Sequence, residues 1–109
     1  MARLRPVHPG DVLKTDFLEP LGMSAYRLAR EIRVTPVRIN DIVRRKRAVS
    51  ADTALRLAAY FGTSPQFWLN LQANHDLEVA GRRASRAIAA IRPRSSTAVS
   101  ARNPRSRDS

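Results

Sequence analysis

Twenty Lys and Arg against nine Asp and Glu give this 109-residue chain a formal charge of +11. That length suits one small domain with an appendage, and the charge is best matched by an acidic partner, whether nucleic acid, an anionic membrane surface or an acidic protein. The absence of cysteine excludes disulfides and thiolate metal sites.

No run approaches the roughly 18 to 20 apolar residues of a membrane span, and Met1-Ala2-Arg3-Leu4-Arg5-Pro6 lacks the apolar core of a signal peptide. A cytoplasmic location is the expectation. The charge is unevenly spread: residues 1–81 hold twelve basic and eight acidic side chains, residues 82–109 eight basic and one acidic. The expected division is therefore a domain over 1–81 and a basic tail over 82–109.

In chain order, His8-Pro9-Gly10 precedes a helical pattern of Val12, Leu13, Asp16 and Phe17, which predicts a first helix over about 9–18, with Pro20 and Gly22 ending the run. Ser24 stands as an N-cap, and Tyr26, Leu28, Ala29 and Ile32 follow at helical spacing, giving a second helix over about 25–32. Thr35-Pro36 repeats the signal, a capping residue before a proline whose fixed φ suits the first helical position. The third helix runs from Pro36 to about Arg44 and buries Val37 or Ile39 together with Ile42 and Val43.

Ser50 opens a fourth helix with Asp52 in its first turn and Ala54, Leu55, Leu57, Ala58 and Phe61 along it, closed by Gly62. Ser64-Pro65 starts a fifth, carrying Phe67, Trp68, Leu71, Leu77 and Val79. The tail is expected to be partly helical over 82–91 and then disordered, because "RPRSSTAVSARNPRSRDS" has no aromatic residue and no apolar periodicity. The fold class is all-α. Two short helices joined by the three residues Arg33-Val34-Thr35 have the form of a helix-turn-helix.

The stretches His8-Pro9-Gly10, Arg38-Ile39-Asn40 with Ile42-Val43, Ala51 to Leu57, and Phe61-Gly62-Thr63-Ser64-Pro65 leading to Phe67-Trp68-Leu69-Asn70-Leu71-Gln72 together resemble the HigA antitoxins. That family lies within the Xre-type, lambda-repressor-like helix-turn-helix proteins, and the resemblance covers about residues 7–80. It implies a five-helix DNA-binding domain that dimerises, binds operator DNA in its own promoter, and neutralises a HigB-type mRNA endonuclease toxin. The last helix, about Ser64 to Val79, is the expected dimer element. Glycine is usual in the family where this chain has Arg33 and Arg45, so local strain and two extra charges near the phosphates are expected there.

Carried over to this chain, Ala25, Pro36, Val37 and Asp41 take the base-facing positions, with Arg38 and Asn40 beside them, able to bond either a base or a phosphate. Arginine reads guanine through a bidentate fork, asparagine reads adenine, and aspartate accepts from cytosine. Asp41 has a plainer alternative, a salt bridge orienting Arg38 or Arg44. Ser24 and Thr35 at helix N-termini, Tyr26 and Arg27 in the first turn of the second helix, and Arg44, Lys46 and Arg47 after the third are expected to meet phosphates.

By default a basic run is a solvated face; the surrounding helix-turn-helix pattern favours DNA contact instead. Phe61, Phe67 and Trp68 read as core, with Trp68 partly in a dimer contact. His8 and His75 lack metal-ligand spacing, and no nucleophile elbow or phosphate loop points to an enzyme. Neither cofactor nor metal is expected. Two alternatives remain: a solitary Xre-type regulator without a toxin, and a protein-binding module that sequesters a basic nuclease through Asp11, Asp16 and Glu19.

Overall fold

His8 opens the first helix in the manner more familiar from Ser or Asp. Its Nδ1 accepts from the Gly10 amide at 2.8 Å, and the Asp11 carboxylate accepts from the His8 amide at 2.9 Å. This reciprocal capping box satisfies two otherwise orphaned donors. The structure, a computed structural model, describes residues 5–94.

Helix α1 is one continuous run in three parts: Pro9–Val12, a π-helical segment Leu13–Leu18, and Glu19–Leu21. It therefore passes through Pro20, where the sequence pattern predicts the run to end. In the wide π turn the Glu19 amide donates five residues back, to the Lys14 carbonyl. Pro20 follows this turn, where its missing amide and bulky ring disturb the ladder less than in a regular α-helix.

The helices α2 (Ala25–Ile32), α3 (Pro36–Val43), α4 (Ala51–Phe61), α5 (Pro65–Arg83) and α6 (Ser85–Ala89) follow, with no strand among the described residues. Ser24, Thr35 and Ser50 each accept from the amide three residues on. The described residues divide into two units, one ending at Val79 and the other beginning at Ala80. The stretch expected to be disordered lies, from residue 95 onward, outside the described residues.

Three helices end alike. After α1, α2 and α3 the residue at positive φ is Gly22, Arg33 and Arg45 respectively. Each donates its amide three residues back, and the next residue donates five back: Met23 to Leu18, Val34 to Ala29, Lys46 to Asp41. These are Schellman closures, in which glycine is the usual left-handed residue. The strain expected at Arg33 and Arg45 is present, at φ 63° and 66°.

Leu13, Leu28, Ile39, Ile42, Leu57 and Trp68 are fully buried, each stabilising the fold by about 2 kcal/mol. Of the two candidates on α3, Ile39 is inside and Val37 outside. Phe17 brings its ring within 4.8 Å of Phe61 and 5.1 Å of Trp68. The Trp68 indole N–H donates to Thr63 Oγ1 at 2.8 Å. Because Trp68 is wholly covered within one chain, it is not the dimer contact that the sequence suggested.

Gly10 brings α1 against the end of α3. A Cβ there would lie 1.8 Å from the Ile42 carbonyl oxygen, so no other residue fits this crossing. That same oxygen accepts from the Arg45 amide at 3.0 Å. The first helix thus rests directly on the turn that closes the third.

Candidate nucleic-acid interface

On a helix with 3.6 residues per turn, positions 37, 40, 41 and 44 share one face. In α3 they are Val37, Asn40, Asp41 and Arg44. Val37 is 61% exposed, Asn40 and Arg44 are exposed, and Asp41 is half-buried. The opposite side, Ile39 and Ile42, is fixed in the core, which leaves the outer face no freedom to rotate away.

The two helices joined by the turn both open on capped N-termini. Ser24 Oγ accepts from the Arg27 amide at 3.0 Å and Thr35 Oγ1 from the Arg38 amide at 3.3 Å. Tyr26 and Arg27 are exposed in the first turn of α2, and Lys46 and Arg47 are exposed beyond α3. Ala25 and Pro36 are half-buried. The sequence-predicted residues therefore gather around α3 and the start of α2.

The charges on this surface are partly paired. Asp41 lies 3.6 Å from Arg47 Nη2, so its ionic partner is Arg47 and not Arg38 or Arg44. Arg45 turns inward: its Nη2 donates to the Pro6 carbonyl at 2.9 Å and its Nε sits 3.8 Å from Asp11. Its side chain is only 18% exposed, so the extra charge expected near the phosphates is used to hold the N-terminal segment. Arg27 pairs with Glu31 along α2 at 3.4 Å.

Arg38 has a partner that the sequence did not reveal. Its Nη1 donates to Asp52 Oδ2 at 2.8 Å and to Thr53 Oγ1 at 3.3 Å. Asp52 also accepts from Arg56 Nε at 3.0 Å, and Arg56 Nη1 donates to the carbonyls of Ile32 and Arg33 at 2.9 and 3.3 Å. Hydrogen bonds from Arg38 and then Arg56 hold the Asp52 carboxyl below its ordinary range. The Asp52–Arg56 spacing of four residues is legible in a sequence; the link from Arg38, fourteen residues away, is not.

The fold also joins His8 and His75, whose rings meet edge to face at 4.8 Å. His8 Nδ1 is occupied by the Gly10 amide, and His75 Nδ1 lies 3.3 Å from Asp76. Among the described residues no group of three or more His, Cys, Asp or Glu is arranged to hold a metal ion. No described helix is long and apolar enough to cross a membrane.

Comparison with known proteins places this arrangement. The helix-turn-helix family profile matches residues 16–68. The chain is 51% identical over 74 residues to the virulence-associated protein I of Dichelobacter nodosus, covering 68% of each chain. It is 38% identical over 73 residues to the antitoxin HigA-1 of Vibrio cholerae, covering 67% of this chain and 69% of that one. Its fold matches the Pseudomonas aeruginosa antitoxin HigA, solved with the higBA promoter, at a TM-score of 0.79 and 44% identity, over 82% of this chain and 98% of the other. The capped helix pair, the exposed face of α3 and these likenesses converge: the chain belongs to the HigA family of helix-turn-helix, DNA-binding antitoxins.

Proposed function

We propose that this chain is an antitoxin of a type II toxin-antitoxin system, which binds operator DNA in its own promoter as a dimer and neutralises a HigB-type mRNA endonuclease. The observation that carries the DNA reading is the outward face of α3, with Val37, Asn40, Asp41 and Arg44 exposed or half-buried on a helix that, like α2 before it, opens on a capped N-terminus. A major groove about 12 Å wide admits such a helix. In this reading Pro36, Val37, Asn40, Asp41 and Ala25 face bases, and Ser24, Tyr26, Arg27, Thr35, Arg44, Lys46 and Arg47 hold the backbone.

Asn40 offers an amide to adenine. Asp41 accepts from cytosine once Arg47 turns to a phosphate. Dimerisation through α5 is supported by Phe67 and Leu77, which remain 37% and 71% exposed. A basic toxin would meet Asp16 and Glu19, both exposed on α1, while Asp11 is already committed to the His8 amide and Arg45.

The test measures binding to the chain's own upstream DNA and to a scrambled duplex. Asn40→Ala should relax preference at particular bases, whereas Arg44→Ala should weaken both complexes and lower the salt slope by about one unit. Equal effects from the two variants would defeat this division of roles. Co-expression with a HigB-type nuclease should relieve the growth arrest that the nuclease causes; arrest that persists would remove the antitoxin half of the proposal.

A further inference from the structure

Arg38 lies about 100° round α3 from Val37, at the margin of the exposed face. Its guanidinium reaches two residues of another helix, Asp52 and Thr53. We infer that Asp52, on a different helix, is a positioning residue that aims Arg38 at DNA and thereby sharpens base preference while lowering affinity for DNA in general. The inference rests on the reading of α3 as the DNA-contacting helix.

An exposed ion pair by itself is a weak clamp. Here the acceptor end is fixed from several directions. Thr53, which shares the Arg38 Nη1 group, is 1% exposed, and its own hydroxyl lies 3.3 Å from Ser50 Oγ. Asp52 takes a second guanidinium, Arg56, whose far end caps the last carbonyls of α2. The carboxylate is thus tied to both helices of the helix-turn-helix, and Arg38 is held against a frame.

With Nη1 engaged, Nε and Nη2 of Arg38 make no hydrogen bond to the described residues. They form the remaining edge of the fork, which suits guanine O6 and N7. A cleft of about 300 Å³ lined by Arg38, Arg47, Ala48, Ser50, Asp52 and Thr53 leaves room for the guanidinium to swing away when the carboxylate is removed. A released Arg38 becomes one more mobile cation for any phosphate, and Asp52 no longer repels the backbone.

The test uses the full chain and a pool of duplexes about 30 base pairs long with a randomised centre, long enough for two half-sites. Enriched sequences give base preference, and anisotropy titrations at several salt concentrations give affinity and slope. Asp52→Asn should bind unselected DNA more tightly, steepen the salt slope by about 0.9, and reduce the ratio of selected to unselected affinity about tenfold. In an Arg38→Gln background, Asp52→Asn should leave that ratio unchanged.

An unchanged ratio in Asp52→Asn, or the same change with and without Arg38, would overturn the inference. If Asp52→Asn does not fold, Asp52→Glu keeps the charge and displaces it by one methylene; it should lower the ratio with little change in slope, and no change in ratio overturns the inference. Arg38→Gln with full preference would likewise overturn the inference, whereas a wild-type chain that enriches no motif would refute the reading of α3.

Discussion

Gly10→Ala offers a sharp test of the fold, because two opposing effects can be weighed in advance. Alanine is favoured over glycine inside a helix by about 0.8 to 1 kcal/mol, so an unobstructed site would gain stability. At Gly10 the new methyl would lie 1.8 Å from the Ile42 carbonyl oxygen, against 3.4 Å for the start of ordinary contact, so α1 and the end of α3 would have to separate by about 1.6 Å. The obstacle is backbone, and its oxygen already holds the Arg45 amide.

Overpacking of this kind costs about 1 to 3 kcal/mol or more. Because the obstacle is rigid backbone, the upper end of that range applies, and less the helix gain it leaves a net loss of about 2 kcal/mol, a fall in melting temperature on the order of 10 °C for a domain of this size. Thermal unfolding followed by circular dichroism measures it, with Gly81→Ala as the control, since nothing lies within 4 Å of a Cβ there. Gly10→Ala melting at or above the wild type would refute the close approach of α1 and α3.

Other substitutions follow the same logic. Arg33→Gly should raise stability by about 0.5 to 1 kcal/mol by relieving its positive φ, whereas Arg45→Gly should gain nothing because it loses the Pro6 and Asp11 contacts; equal gains in urea titrations would deny those contacts any role. Trp68→Ala should cost about 3 to 5 kcal/mol, while folded Trp68→Phe should keep the wild-type sedimentation behaviour. A changed oligomeric state would show that Trp68 reaches a partner.

Burial, then His75 and Arg45, lower the His8 pKa from its ordinary 6.5. The unfolded chain therefore takes up this proton first, so stability falls as pH drops from about 6.5 through the lower folded value. His8→Asn, which retains a capping acceptor, should flatten that part of the pH–stability profile; an unaltered profile would assign the effect to another group.

Much of this fold is local and was legible for that reason. Ser24, Thr35-Pro36 and Ser50 mark helix starts through interactions spanning three residues, and the structure places α2 at Ala25–Ile32 and α3 at Pro36–Val43. The helical face shared by Val37, Asn40, Asp41 and Arg44 also follows from spacing. What escaped depends on distant partners: Arg38 on Asp52, Arg45 on Pro6, His8 on His75. Each joins groups whose proximity is created only when distant segments pack. Pro20 misled for another reason, since a proline ends a regular helix but can follow a π turn.

That wide turn also constrains the length of the chain. A π segment is equivalent to one residue inserted into an α-helix, and a one-residue deletion would ordinarily be absorbed by reverting to the tighter spiral. Here reversion would put the Pro20 ring against the carbonyl four residues before it. Loss of a single residue between Leu13 and Leu18 would therefore kink α1 and lift Gly10 from its seat, so this segment should tolerate substitution on its exposed side far better than any change in length.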